Sequence, residues 1–287
     1  MSGKQSKNVF ISVKDYSVSG EVFDLVKNET FGFLETIPQP DLEKLPEYYK
    51  SDDYISHTDS KRNLFERTYH IIKKMALRRK LSLINSFSKE KGVLLDVGCG
   101  TGDFLEFSKT KGWRVVGIEP NNQARVIANK KTNNSVYKTD HLLNLDNHSF
   151  DIITLWHVLE HLPNLEEHIA VFKRLLKPNG TLIIAVPNYK SYDAKIYKTY
   201  WAAFDVPRHL WHFSKESIKI LMETFNMNVV KMYPMQFDAF YVSLLSEKYR
   251  TGKMKIFRPF FVGLFSNVKA IWSKEYSSII YCVKKGQ

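Results

Sequence analysis

Cysteine is almost absent from this chain: Cys99 and Cys282 are the only two in 287 residues. Two thiols build neither a disulfide framework nor a four-thiolate zinc site, and a reducing compartment, the cytoplasm, is the expectation. No run approaches the ~18 consecutive apolar residues that span a bilayer. The opening stretch, MSGKQSKNVFISVKDYS, lacks the apolar centre of a secretory leader. There is no internal repeat or low-complexity tract. Acids are also in deficit, with 30 Asp and Glu against 42 Lys and Arg and a formal net charge of +12. Such an excess draws nucleic acid, anionic lipid or acidic metabolites. No nucleic-acid-binding motif accompanies it, so the expectation is a basic surface with no specific nucleic-acid partner.

What is present points to a folded chain: 44% of the residues are hydrophobic, which excludes global disorder. Residues 1–57 read as an accessory segment, with strand-like alternation in YSVSGEVFDLV and a turn-rich end in FGFLETIPQPD. Residues 59–88 read as a long helix whose apolar side carries Leu64, Tyr69, Ile71, Ile72, Met75 and Leu81. Its many Lys and Arg are expected on a solvated face, with a phosphate-binding strip as the alternative. From residue 92 strand and helix alternate: GVLLDVG, DFLEFSKTKG, WRVVGIEP, NNQARVIANKK, NSVYKTD, FDIITLWHV, NLEEHIAVFKRLLKPNG and TLIIAVPN. The strands are continuous apolar runs, as in an α/β fold whose parallel sheet is covered on both faces.

LLDVGCGTGDFL closes the first of these strands and opens a helix. Gly98, Gly100 and Gly102 permit a tight turn, and their amides form an electropositive cradle at the carboxyl end of a strand, where open α/β sheets bind ligands. Glu119 ends the next strand about 20 residues later, where an acid accepts hydrogen bonds from ribose hydroxyls. The third glycine comes one residue early for a dinucleotide fingerprint. Asp96, just before the loop, would repel a pyrophosphate but suits a ligand bearing an ammonium or sulfonium. The loop therefore favours S-adenosylmethionine over NAD.

LLDVGCGTG, VVGIEP, SFDIITLWHVLEHLPN and LLKPNGTLIIAVPN together resemble the four successive motifs of class I S-adenosylmethionine-dependent methyltransferases. The resemblance covers roughly residues 90–235. FDVPRHLWHFSKESIKILMETFNM is similar to the small-molecule branch that includes the ubiquinone-biosynthesis O-methyltransferases. The resemblance implies a Rossmann-like, doubly wound, seven-stranded, mostly parallel sheet with an antiparallel last strand. MNVVKMYPM and SSIIYCVKK would be its last two strands. The catalytic domain would span 58–287, with an insertion at about 238–275. It implies S-adenosylmethionine as cofactor, with Asp96 and the loop Gly98, Cys99, Gly100, Thr101 and Gly102 on the methionine part. Glu119, with Pro120 beside it, would hold the ribose, and Leu155 and Trp156 would border the cofactor. Asp140 would lie near the adenine amino group, unless it is only a solvated loop acid.

WHVLEHL carries H-x-x-E-H: His157, Glu160 and His161. On a helix these three share a face, as in an inverted zinc peptidase. Here the stretch follows an apolar strand and a nucleoside loop, which favours the methyltransferase assignment. Some ubiquinone-type relatives carry E-x-x-E-H at this point and bind a divalent cation. With His157 in place of their first Glu, the expectation is no metal, with Glu160 and His161 shaping the substrate side of the pocket and a divalent cation at His157, Glu160 and His161 as the alternative. Relatives with a similar front end carry C-x-x-C-G where this chain has Asn28 and Phe31, which implies a metal-free remnant of a zinc ribbon.

Methyl transfer to oxygen needs alignment and a base near neutral pKa. His161, His209 and His212 are the candidates, and a packed core histidine is the competing role for each. Tyr49, Tyr54, Trp201, Phe204 and Trp211 would line an apolar pocket for a small-molecule acceptor. In the insertion, the 247–265 region carries KYRTGKMKIFRPFFVGLF from Lys248 onward, which mixes basic and aromatic residues. That suits a helical cap over the pocket, or an interfacial helix with peripheral membrane contact and a lipid-like substrate. An RNA or protein substrate and a noncatalytic cofactor-binding module are the remaining alternatives.

Overall fold

The computed structural model describes residues 8–286 except 42, 50–63 and 89. Tyr54 and the side chains of Leu64, Tyr69, Ile71 and Ile72 lie outside that description.

Three antiparallel strands come first: β1 (Val9–Lys14), β2 (Val22–Lys27) and β3 (Leu34–Ile37). The turn between β2 and β3 holds Asn28 and Phe31, the positions where a ribbon would place thiolates. Asn28 closes it with its amide oxygen, which accepts from the backbone N–H of Thr30 (3.0 Å) and of Phe31 (2.8 Å). An Asx turn of this kind does locally what a ligated knuckle does elsewhere.

The central sheet runs in the order β10-β11-β8-β7-β4-β5-β6. Its strands are β4 (Val93–Val97), β5 (Arg114–Ile118), β6 (Val136–Tyr137), β7 (Phe150–Trp156), β8 (Leu176–Pro187), β10 (Met227–Pro234) and β11 (Ser278–Lys285). β11 is antiparallel to both of its neighbours, β8 and β10. The seven-stranded, mostly parallel architecture is the one implied by the four motifs. Leu94, Leu95, Ile152 and Ile153 alternate in direction along β4 and β7, yet all are fully buried. That is why these strands read as unbroken apolar runs.

Helices cover both faces: α1 (Leu64–Ser86), α2 (Asp103–Lys109), α3 (Asn122–Thr132), α4 (Leu165–Leu175), α5 (Tyr192–Tyr197) and α6 (Lys215–Thr224). α4 shows the pattern plainly, burying Leu165, Ile169, Phe172 and Leu175 at helical spacing and presenting its acids and bases outward. The insertion is a helical hairpin, α7 (Asp238–Thr251) and α8 (Phe257–Ser273). The two backbones pack closely, since a Cβ on Gly263 would come within 3.0 Å of the Ala239 carbonyl oxygen.

The accessory sheet is completed by a strand from later in the chain. β9 (Trp211–His212) pairs with β3, Leu34 facing His212 and Glu35 facing Trp211. Phe31 and Phe33 enter the main hydrophobic core beside Phe213. Buried Arg208 adds a polar tie. Its guanidinium reaches Asp15 (3.1 Å), Asp205 (2.6 Å) and the Tyr48 carbonyl (2.9 Å). The accessory segment thus braces the loop that carries Arg208, His209 and His212.

Candidate active site

The glycine loop leaves β4 and folds back on β5, with Gly98 and Cys99 both donating to the Ile118 carbonyl, at 2.8 and 3.1 Å. Gly98 (φ +69°) has no room for a side chain, because a Cβ would lie 2.4 Å from Val158. Gly100 (φ +55°) faces open space, so its backbone lines the crevice. The Gly100 N–H donates to Glu119 Oε2 (2.8 Å) and the Asn121 N–H to Oε1 (2.9 Å). Each oxygen keeps a second lone pair, so the carboxylate is held in place with capacity for two hydroxyl donors. Burial pushes the Glu119 carboxyl up against those two hydrogen bonds.

Asp96 is 3% exposed and accepts from the Thr154 hydroxyl at 2.6 Å. Burial raises its carboxyl to about 6, although the Thr154 hydrogen bond and the Lys80 charge pull it down. It is a buried acid poised for a cationic partner. Trp156 stands at the end of β7, edge-on to Phe104 with centroids 5.9 Å apart, and its buried indole N–H has no partner. The Lys80 ammonium lies 4.3 Å over the Trp156 ring. Burial pulls Lys80 down, opposed by Asp96 and Asp238.

The basic residues of α1 therefore do not all decorate a solvated face. Lys80 enters the crevice, and Lys73 pairs with Asp103 (2.7 Å), at the start of α2, which also takes Lys131 (2.8 Å) and the Thr101 hydroxyl (3.1 Å). Sequence periodicity missed both lysines because they belong to a helix whose inward side is not purely apolar.

The other loop residues differ in what they offer. Cys99 packs against β5, where its Sγ would meet a Cβ on Gly117 at 2.8 Å, and burial raises its thiol. Pro120 is exposed, and its carbonyl accepts from Arg125 at 3.1 Å. Leu155 points into the core, opposite Trp156, because successive strand residues face opposite sides. Asp140 sits in a 3₁₀ turn, its side chain 74% exposed and paired with Lys138 at 2.6 Å.

The H-x-x-E-H stretch is not a helix face. His157 takes a left-handed conformation (φ +57°), and only Leu159–His161 form a 3₁₀ turn. His157 is thereby aimed at the insertion, while Glu160 and His161 face the loop before β9. Three bonds stitch the two segments. Leu210 N–H donates to the Glu160 carbonyl (2.8 Å), His161 Nδ1 meets the Arg208 carbonyl (3.0 Å), and the Trp211 indole donates to the Leu162 carbonyl (2.8 Å).

Hydrogen bonding then fixes the tautomers. His161 Nδ1 lies against the Arg208 carbonyl and His209 Nδ1 against the Ala203 carbonyl (2.9 Å); carbonyls only accept, so both Nδ1 atoms carry hydrogen. Each Nε2 is left with a lone pair. Burial and the neighbouring His161 hold His209 neutral. One ligand atom from each of Glu160, His161 and His209 lies within 4.8 Å of the others. The Glu160 carboxylate is 1% exposed and has one ion-pair neighbour, His157 Nδ1 at 3.4 Å, with no closer hydrogen-bond donor. Two imidazoles with their Nδ1–H on carbonyls, facing a buried carboxylate, fit a divalent cation. His157 is outside this group and His209 takes the third place, a pairing that spacing along the chain could not reveal.

His212 differs. Thr36 donates its hydroxyl hydrogen to the His209 carbonyl (2.6 Å), so His212 Nε2–H must donate to Thr36 Oγ1 (3.0 Å). Burial lowers its pKa to about 3. It holds the accessory sheet to the loop. Of the predicted pocket aromatics, Trp201 and Phe204 are core residues, the Trp201 indole donating to buried Asp193 at 2.8 Å. Tyr49 does reach the site, its hydroxyl 3.0 Å from His161 Nδ1.

Comparison with known proteins bears on the family and the fold. Residues 66–232 match the methyltransferase domain family. The ubiquinone biosynthesis O-methyltransferase of Photobacterium profundum is 32% identical over 108 residues, covering 34% of this chain and 46% of that protein. The mitochondrial enzyme of the same name from Rattus norvegicus is 31% identical over 163 residues, covering 51% and 47%. The chain thus spans about half the length of these relatives. Among solved structures, a SAM-dependent methyltransferase from Archaeoglobus fulgidus superposes with a TM-score of 0.52 at 20% identity, over 77% of this chain and 98% of that one. Magnesium protoporphyrin IX methyltransferase from Synechocystis, solved with SAH, gives 0.55 at 14% identity, over 86% and 100%. The chain belongs to the methyltransferase domain family, in the class I fold of the S-adenosylmethionine-dependent enzymes.

Proposed function

We propose that the protein transfers a methyl group from S-adenosylmethionine to oxygen on a small-molecule acceptor. The observation that carries this is the pairing of Glu119, pinned by Gly100 and Asn121, with buried Asp96 across the glycine loop. When bound, the sulfonium supplies an activated methyl group for in-line displacement, in which the oxygen–methyl bond forms as the sulfur–methyl bond breaks. Asp96 would neutralise the ammonium of the methionine part, and Lys80 would face its carboxylate. Glu119 would accept from the ribose hydroxyls, and Trp156 would close the crevice floor. The His161 and His209 Nε2 lone pairs are the acceptors for the proton that an acceptor hydroxyl must lose.

The ubiquinone-type relatives support oxygen as the accepting atom, and the aromatic surroundings of Tyr49 and Trp211 support an apolar, lipid-like acceptor. A second reading, which replaces that base, is favoured by the buried Glu160 carboxylate beside the two histidines. A divalent cation held by Glu160, His161 and His209 would occupy those same lone pairs and, in place of an imidazole base, would lower the pKa of an acceptor hydroxyl beside it.

The test is calorimetric titration with S-adenosylmethionine, S-adenosylhomocysteine and NAD, followed by mass analysis of phenolic acceptors. Binding of both adenosyl ligands, its loss in Glu119→Ala, and a gain of one methylene mass on the acceptor are expected. Binding of NAD alone, or unchanged binding in Glu119→Ala, would refute the assignment.

A further inference from the structure

α8 is built inside out. The residues it buries are small: Pro259, Gly263, Ser266 and Ala270, spaced as one stripe, with Gly263 against α7 and the Ser266 hydroxyl donating to Asp193 of α5 at 2.6 Å. Its large apolar residues point to solvent. Phe257, Phe261, Leu264, Phe265, Val268 and Trp272 are all exposed, Phe257 at 84% and Trp272 at 77%. At roughly 100° per residue they occupy an arc of about 100°, opposite the buried stripe. Exposed Phe260 and Ile271 widen that arc to about 140°. Scattered exposed apolar residues need no explanation, but a continuous aromatic ridge of this width does. A helix that merely capped the pocket would bury its large residues.

Charge indicates the occupant. From Lys248 to Lys274 the chain has seven Lys and Arg and no Asp or Glu. Arg250 and Arg258 are paired with Glu247, which precedes the stretch. Lys253 and Lys255 are exposed in the turn just before α8, Lys269 lies on its flank and Lys274 caps its end. An apolar ridge bordered by cations is complementary to an anionic lipid surface, with rings among the acyl chains and ammoniums at the phosphates. Docking two such ridges from two copies would instead bring like charges together. No helix among the described residues is long and apolar enough to cross a membrane, so the contact would be one of lying on the surface.

We infer that the exposed face of α8 is a docking surface for an anionic lipid bilayer. The placement suits the proposed reaction without depending on it: α7 of the same hairpin begins at Asp238, which contacts His157 beside the crevice.

The experiment is flotation of the full chain with phosphatidylcholine vesicles, with and without roughly 30% phosphatidylglycerol, alongside sedimentation velocity. The expected result is binding to the anionic vesicles, weakened by salt and by omission of phosphatidylglycerol. Phe261→Ser with Phe265→Ser should reduce it at least roughly tenfold without lowering the melting temperature, since both side chains are exposed. Trp272→Phe should remove the blue shift of emission on vesicle addition. Absence of vesicle binding would overturn the inference, as would a concentration-dependent dimer that the same two serines disperse. Adenosyl-ligand binding, measured separately, should be unaffected, so failure here is distinct from failure of the methyltransfer assignment.

Discussion

His157 Nε2 lies 3.0 Å from Asp238 Oδ2, joining the turn after β7 to the first residue of the inserted hairpin. On its other side Nδ1 is 3.4 Å from Glu160. Burial would depress the imidazole, but the hydrogen bonds and charges of the two carboxylates outweigh it and raise its pKa to about 10. The ring is therefore a cation at neutral pH. A histidine raised above its ordinary 6.5 contributes stability that is complete below that value and fades as pH rises through the folded pKa. Asp238→Asn should bring the His157 titration, followed by NMR of the ring, down by more than one unit. The loss of stability should be modest, about 1 kcal/mol or less, because the pair is partly exposed. An unshifted titration would show that Asp238 does not hold the ring.

Much of this was legible in the chain. Continuous apolar strands and G-C-G-T-G at a strand end specified the sheet and the cradle, because short-range pattern dictates both. Glu119 follows β5 and Asp96 lies in β4, on either side of the glycine loop. What was not legible depends on contacts between distant segments. Trp201 and Phe204 looked like pocket aromatics, but composition does not say on which side of a loop a ring lies. His209 meets Glu160 only because Leu210 and Trp211 bond to the earlier turn. Lys80 reaches the crevice from a helix whose sequence suggested a solvated basic face.

Asp96 makes ligand binding pH-dependent. Its carboxyl titrates at about 6, above the ordinary 3.8, so the free protein is favoured by protonation, a gain complete below about 3.8 and lost as pH rises through 6. An ammonium beside the ionised form reverses that preference. The affinity for S-adenosylhomocysteine should therefore fall up to roughly tenfold per pH unit below 6. Asp96→Asn should bind weakly with a flat profile between pH 5 and 8, read by calorimetry. A wild-type profile equally flat would remove Asp96 from the ammonium site.

Glu160 separates a metal site from a merely polar corner. If it holds a cation with His161 and His209, manganese at about 100 times its Kd should stabilise the protein by roughly 2.7 kcal/mol. EDTA should reverse the shift, and Glu160→Gln should abolish it while leaving adenosyl-ligand affinity intact. A metal shift of equal size in Glu160→Gln would place the ion elsewhere.

Arg208 joins three parts of the molecule. Its guanidinium lies between Asp15 of the accessory sheet and Asp205 of its own loop, while its carbonyl accepts from His161 Nδ1. With the side chain only 8% exposed, removing the cation leaves two acids without their partner in a dry site. Breaking such an arrangement from one side costs about 3–5 kcal/mol. Arg208→Met should therefore unfold at markedly lower denaturant, measured by equilibrium titration with urea. Asp15→Asn should lose less, because the arginine keeps its bidentate contact with Asp205. The destabilised variant should also bind manganese more weakly at temperatures where it remains folded, since His161 would no longer be held by a fixed carbonyl. If Arg208→Met lost less than about 1 kcal/mol, the guanidinium would be a bystander, and the accessory sheet would be held by its strand pairing with β9, its phenylalanines and the Thr36 bonds to His209 and His212.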